Sequence, residues 1–345
     1  MQEFDDIDDS LLLNYCKTIP KLELHAHLNG CIRQKTFHEL LSKTSPTDLA
    51  CLLSIEEKER LATTSHNRMS LIFDKFALLR SCVTKLEDVK RITYETLEDF
   101  YLDNVIYVEL RTNPRSLLDG STKRDYIQCV LDVMNQFQYD HENKFHSRLL
   151  LSIDRAQTIE QGFETLKLAK ECSLNGIELS GNPNYKTFNQ FRPIFENCGL
   201  LTTIHTGELP DDECLKENTS ILDFKPQRLG HFNYFTPEQY ERVRREQIPI
   251  ELCPTSNYLT MNLKHMNEHN FKRFYQMNHP LCLCTDDSGI MNCSLSTELY
   301  HIAKAFQLNQ TNVYQLMRKT CQYIFDKQLI QTCQSVLDKY EKEAR

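Results

Sequence analysis

The sequence predicts an α/β fold: a closed parallel (β/α)8 TIM barrel with a helical insertion after its first strand and a C-terminal helical cap. Three observations carry this expectation. Eight short apolar runs punctuate the 345 residues. Most of the gaps between them have helical periodicity. Most runs end, always on their C-terminal side, in a polar group of chemical interest. An open doubly wound sheet is the alternative architecture.

Residues 1–19 begin acidic, without the basic and apolar regions of a signal peptide. They continue as an amphipathic helix with Leu11, Leu12 and Tyr15 on one face. The first strand follows, with Leu22 and Leu24 alternating with Glu23, and runs into His25-Ala26-His27-Leu28-Asn29-Gly30. Residues i and i+2 of a strand share a side, so both imidazoles face one place. Gly30 is expected to turn the chain sharply away. Residues 31–104 have helical periodicity and no clear strand, as in Phe37, Leu40, Leu41 and later Ile72, Phe73, Phe76 and Leu79. Such an insertion is expected to cover the site. The remaining apolar runs are 105–110, 149–153, 176–179, 200–204, 227–230, 248–252 and 281–284. Helices are expected at 123–138, 158–171 and 237–245, and a helical cap over 294–345. No repeat, low-complexity tract or linker divides the chain, so 1–345 is expected to form a single domain.

Composition narrows the function. The chain is 40% hydrophobic and 26% charged, with a formal net charge of −8. No Lys/Arg run stands out, which argues against binding a nucleic-acid polymer, and no apolar run reaches membrane-spanning length. Fourteen cysteines form no compact framework and no Cys-x-x-Cys pair. A soluble, cytosolic protein with reduced thiols is expected, and a monomer. Cys253, Cys282 and Cys284 sit in apolar runs and read as packing residues.

The run ends carry the chemistry. They hold His25 and His27; Glu109 and the segment Arg111-Thr112-Asn113-Pro114-Arg115; Asp154; Gly181; His205-Thr206-Gly207-Glu208; His231; Cys253-Pro254-Thr255-Ser256-Asn257; and Thr285-Asp286-Asp287. In a barrel these ends share one rim, where barrel enzymes keep their active sites. His25, His27, His205 and Asp286 offer three nitrogens and one oxygen, a set suited to one zinc ion with a water completing the site. Zinc brings the pKa of such a water towards neutrality. His231 is placed to hold or deprotonate that water. Glu208, three residues past His205, can protonate a ring nitrogen or leaving group. Asp287 can accept a hydrogen bond from a substrate.

The chain resembles the adenosine deaminase superfamily of metal-dependent barrel hydrolases. The resemblance rests on His25 to Gly30, His205 to Glu208, Arg228-Leu229-Gly230-His231, Cys253 to Asn257 and Thr285 to Asp287, in that order. It implies hydrolytic removal of the 6-amino group of a purine. Glu208 would protonate N1, His231 and Asp286 would position the attacking hydroxide, Asp287 would contact N7, and Gly181 would contact the ring through its backbone. Relatives acting on free adenosine usually carry Asp where this chain has Asn29, and that carboxylate would repel a 5′-phosphate. Asn29 and the cations of the 111–115 segment resemble the adenosine-deaminase-like branch. That branch hydrolyses N6-methyl-AMP to IMP and methylamine. The likeness implies substrate contacts from His27, Asn29, Thr112, Asn113, Pro114, Arg115 and Asp154, with Arg80 at a position where relatives place His. An ordinary adenosine deaminase is the alternative, and a catalytically silent binding relative a further one. Departures from the family pattern include Phe232 where Gly often follows the sixth-run His, and Glu178 and Asn182 where Asp is usual.

Overall fold

The computed structural model describes residues 9–61, 64–196 and 198–344. The start of the expected leading helix (1–8), positions 62–63 of the insertion and the last residue of the cap lie outside the described residues. Among the described residues, eight strands form one sheet: β1 (Lys21–His27), β2 (Val105–Thr112), β3 (His146–Asp154), β4 (Gly176–Ser180), β5 (Leu201–Thr206), β6 (Arg228–His231), β7 (Ile250–Leu252) and β8 (Leu281–Leu283). Each pairs in parallel with the next, in chain order. A parallel bridge between Ala26 and Asp286 closes the seam. There His27 N–H donates to Asp286 O at 2.9 Å and Asp286 N–H to His25 O at 2.8 Å. The closed barrel, rather than the open sheet, is therefore the architecture.

The first helix, α1 (Asp9–Thr18), buries Leu12, Tyr15 and Cys16. Leu11, expected on the same face, is 61% exposed. The i, i+3, i+4 stripe starts one residue later than the sequence suggested. The insertion is helical as expected: α2 (Gln34–Thr44), α3 (Pro46–Leu61), α4 (Ser65–Cys82) and α5 (Leu86–Leu102). The barrel helices follow as α6 (Lys123–Asp140), α7 (Ile159–Glu171), α8 (Phe188–Glu196), α9 (Asp212–Phe224), α10 (Pro237–Glu246), α11 (Pro254–Thr260) and α12 (Phe271–Gln276). The chain ends in α13 (Ser288–Met291), α14 (Leu295–Phe306), α15 (Gln310–Thr320) and α16 (Ile330–Ala344). Local chemistry sets several starts. Thr122, Thr158 and Thr236 cap α6, α7 and α10 in capping boxes with Asp125, Gln161 and Gln239, each cap contributing about 1 kcal/mol.

The barrel interior is charged. Contacts between non-neighbouring strands cross it and so identify its inward side chains. Arg111 on β2 pairs with Glu178 on β4 at 2.7 Å and with Glu251 on β7 at 2.6 Å. Arg228 on β6 pairs with Glu251 at 2.6 Å and with Glu109 back on β2. All five side chains are at most 1% exposed. The alternate positions Leu22, Leu24, Ala26, Val108 and Leu110 are fully buried in the apolar core. This corrects the expectation that Glu109 belongs to the substrate rim; Arg111 does line the cavity at that end. Strand alternation turns both inward, and Arg111 is neutralised by two carboxylates. Cys253, Cys282 and Cys284 are buried in the core.

Candidate active site

The C-terminal end of the barrel gathers His25, His27, His205, His231 and Asp286 into one cluster. His25 Nε2 lies 3.3 Å from His27 Nε2, and each lies 3.4 Å from Asp286 Oδ1. The His205 ring centroid is 4.7 Å from that of His25, and its Nε2 is buried without a hydrogen-bond partner. A tetrahedral ion with bonds of about 2.0–2.1 Å separates its ligand atoms by about 3.3–3.4 Å. The measured spacings match that edge, and the orphaned imidazole nitrogen supplies a further donor. These residues fit a divalent metal ion with nitrogen and oxygen preference.

Each ligand is held from behind. His25 Nδ1 bonds Glu251 Oε2 at 2.7 Å, which aims Nε2 into the cluster. His27 Nδ1 faces Glu178 Oε1 at 3.4 Å from behind; the other oxygen of Glu178 lies 3.4 Å from His205 Nε2, on the ligating side of that ring. Ser256 Oγ donates to Asp286 Oδ2 at 2.7 Å, and Arg155, paired with Glu217 at 2.6 Å, donates to His205 O at 3.2 Å. Burial and Arg111 both oppose a charge on His25, but its bonds to Asp286 and Glu251 carry its pKa up to about 9. Burial pushes His27 down to about 4. Burial would raise Asp286, yet the imidazoles around it hold it well below the usual carboxylate range.

His231 has its own support. Asn257 Oδ1 accepts the Cys253 N–H at 3.2 Å, which orients the amide, so Asn257 Nδ2 donates to His231 Nδ1 at 3.1 Å. The neutral ring therefore keeps its proton on Nε2, which faces Asp286 Oδ2 and Glu208 Oε2, each at 3.9 Å. Burial lowers the His231 pKa well below the ordinary histidine value. His231 (φ 63), Phe232 (φ 47) and Asp286 (φ 64) all adopt left-handed backbone, a strain of about 1–3 kcal/mol each that clusters at functional sites.

The cavity above the cluster is lined by His27, Asn29, Arg80, Thr112, Asn113, Arg115, Asp154, Gly181, Glu208, His231 and Asp287, and from α4 by Met69, Ile72, Phe73, Phe76 and Leu79. The structure thus brings together every site residue expected from the sequence except Pro114, which is buried away from the cavity; its fixed φ shapes the loop instead. Glu208 Oε1 and Asp287 Oδ1 are buried and unpartnered. Burial raises both carboxyls, and the Asp286 charge pushes in the same direction. A Cβ on Gly30 would lie 1.7 Å from Asp287 Oδ1, so contact with Asp287 rather than a special turn requires glycine there. Gly181 has φ +100, and its Cβ would lie 2.6 Å from Asp154 Oδ1.

The anion-competent groups sit at one side. Arg115 is part-buried, donates to Val83 O at 3.0 Å and lies over the Tyr126 ring at 5.9 Å. Among the described residues no carboxylate pairs with it, and the nearby Arg80 charge opposes its own. Arg80 is 57% exposed and 3.4 Å from Asp154 Oδ2. Thr112 Oγ1 lies 2.9 Å from Tyr126 OH, and Asn113 Oδ1 accepts from Gln157 at 3.2 Å. Asn29 Oδ1 is buried without a partner. Sequence reading missed Glu178 and Glu251 as site residues. Both look like ordinary strand residues until the barrel closes, although Glu178 was visible as a departure from the family pattern.

Comparison with known proteins agrees with this geometry. The adenosine deaminase family pattern matches residues 20–328. The N6-mAMP deaminase of Arabidopsis thaliana is 36% identical over 335 residues, covering 89% of this chain and 92% of the relative. The N6-methyl-AMP deaminase of Homo sapiens is 31% identical over 331 residues, covering 90% and 91%. The crystal structure of Arabidopsis ADAL complexed with IMP superposes with a TM-score of 0.87 at 34% identity, covering 96% of this chain and 99% of that one. A second structure of that protein, complexed with GMP, gives 0.86 over 95% and 98%.

Proposed function

The chain belongs to the adenosine deaminase family, and from that premise we propose that it hydrolyses N6-methyl-AMP and related N6-substituted AMPs to IMP and the free amine. Support for a deaminated purine nucleotide comes from relatives named for that activity and from ADAL structures holding IMP and GMP. The observation that carries the nucleotide preference is Arg115, a part-buried guanidinium with no carboxylate partner among the described residues, next to Arg80. A 5′-phosphate supplies the missing anion, and an arginine fork suits it. Asn29 adds an unpartnered amide in place of a repelling carboxylate. Thr112, Asn113 and Asp154 complete the polar wall around the ribose phosphate.

His25, His27, His205 and Asp286 would hold one zinc ion. When bound, zinc supplies a hydroxide nucleophile at neutral pH. The chain's own residues do the rest. Glu208, whose carboxyl burial raises, gives its proton to N1, which lets C6 accept the oxygen. His231 donates through Nε2–H and, with Asp286, orients the attacking oxygen; its Nδ1 is engaged by Asn257. The holding role is thus favoured over deprotonation. N7 offers only a lone pair, so Asp287, whose carboxyl is raised by burial and the Asp286 charge, meets it as a donor, reversing the acceptor role expected from the sequence. Gly181 lets the backbone approach the ring. The added hydroxyl passes its proton to N6, the C6–N6 bond breaks and methylamine leaves, so that one water and N6-methyl-AMP give IMP and methylamine.

On this reading residues 1–345 act as one catalytic domain and α4 forms the apolar wall of the purine site. This reading takes a monomer as the working unit. Its fourteen free cysteines fit a reducing compartment such as the cytosol. Amine release from N6-methyl-AMP, AMP and adenosine tests the proposal. Methylamine release from N6-methyl-AMP with poor adenosine turnover is expected; rapid adenosine turnover without use of any 5′-monophosphate would overturn it.

A further inference from the structure

On the edge of a purine, C6 lies between N1 and N7. If Glu208, after β5, meets N1 and Asp287, after β8, meets N7, the intervening rim of β6 and β7 faces the 6-substituent. Four polar side chains from that rim line the cavity: His231, Asn233, Ser256 and Thr260. Three are engaged. His231 Nδ1 is bonded by Asn257, Ser256 Oγ donates to Asp286 Oδ2 at 2.7 Å, and Thr260 Oγ1 donates to Ser256 O at 2.8 Å.

Asn233 is different. It is 5% exposed, and its Oδ1 is buried without a hydrogen-bond partner. Its backbone is fixed nonetheless: Asn233 N–H donates to Gly207 O at 3.1 Å, and Asn233 O accepts from Asn270 Nδ2 at 2.6 Å. A buried amide oxygen held in place without a donor carries an unmet desolvation cost that a ligand can offset. Rotation about its terminal torsion is soft, so it can present either end.

We infer that Asn233 is a specificity-determining contact for the N6 substituent: its side-chain oxygen accepts the one N–H of a secondary N6-amine and turns the alkyl group towards Met291, which lines the same cavity. This rests on the deaminase reading above and on the purine pose it implies. A secondary amine satisfies the amide through its N–H and the thioether through its methyl, a pairing that a leaving group without an N–H cannot make.

The test compares Asn233→Ala with the wild-type protein on N6-methyl-AMP and on 6-chloropurine ribonucleoside 5′-monophosphate, whose leaving group carries no N–H. Binding of purine ribonucleoside 5′-monophosphate, which has nothing at position 6, serves as the structural readout. The expected result is a loss of about tenfold in kcat/KM for N6-methyl-AMP, the worth of one hydrogen bond. The chloro compound and the 6-unsubstituted ligand should change less than twofold. Equal losses on both substrates, a matching loss of binding, or no loss on N6-methyl-AMP would overturn the inference. If the protein proves to act on nucleosides instead, the same comparison on N6-methyladenosine and 6-chloropurine riboside still decides the role of Asn233. The nucleotide reading then fails separately.

Discussion

Replacing Glu251 by glutamine tests the charged barrel interior at its most connected point. Glu251 Oε2 accepts from His25 Nδ1 at 2.7 Å and from Arg111 at 2.6 Å; Oε1 accepts from Arg228 at 2.6 Å and from Thr203 at 3.0 Å. Each oxygen thus takes two donors. An amide turns one oxygen into an NH2 group, so two donors face a donor whichever way it lies. Shape is preserved and no cavity opens, which leaves electrostatics as the cause of any effect. Removing one partner from a buried ion-pair network costs about 3–5 kcal/mol, and disturbing the carboxylate behind a metal-binding histidine costs about 10–100-fold in metal affinity. Urea unfolding of the chelated protein measures the first effect, and competition for zinc against a coloured chelator the second. Stability within about 1 kcal/mol of wild type, together with unchanged zinc affinity, would refute the claim that the interior ladder holds His25 in place.

Three other outcomes are expected. Glu208→Ala should lower deaminase turnover by about 10²–10⁴-fold while elemental analysis still finds one zinc per chain; unchanged turnover would remove Glu208 from the chemistry. Asn29→Asp should weaken N6-methyl-AMP selectively against N6-methyladenosine, since a like-charge pair at about 4 Å with an effective dielectric near 20 costs roughly 4 kcal/mol; equal kinetic effects on the two would argue against a phosphate near residue 29. Acid should destabilise the protein partly through His269 and His279, both lowered from 6.5 to about 4 by burial. The unfolded chain binds these protons first, so the stability they confer is complete above pH 6.5 and is lost as pH falls towards 4. Each contributes about 3 kcal/mol, and His279→Gln should flatten that part of the pH–stability curve measured by denaturant melts.

The barrel was legible in the sequence because each strand is a short apolar run and each run needs a helix to cover it. The rim was legible because its chemistry sits at run ends: His25 and His27 two apart, Asp286 beside Asp287, Glu208 three residues past His205. Residue type and spacing suffice there, since strand geometry alone aims those groups to one end. Alternation could not say which polar residue of the 109–115 segment faces substrate. Arg111 and Arg115 look alike in sequence and both line the cavity, yet one is neutralised by Glu178 and Glu251 while the other has no carboxylate partner among the described residues. That difference depends on side chains arriving from β4 and β7, at sequence distances of 67 and 140 residues from Arg111. Likewise the reason for Gly30 is Asp287, brought against it by closure of the seam. The proton on His231 is set by Asn257, and the loneliness of Asn233 emerges only when every neighbour's hydrogen bonds are counted. Sequence determined which groups reach the rim; closure of the barrel decided which of them stay uncommitted, because burial charges a free-energy penalty to each polar group that finds no partner.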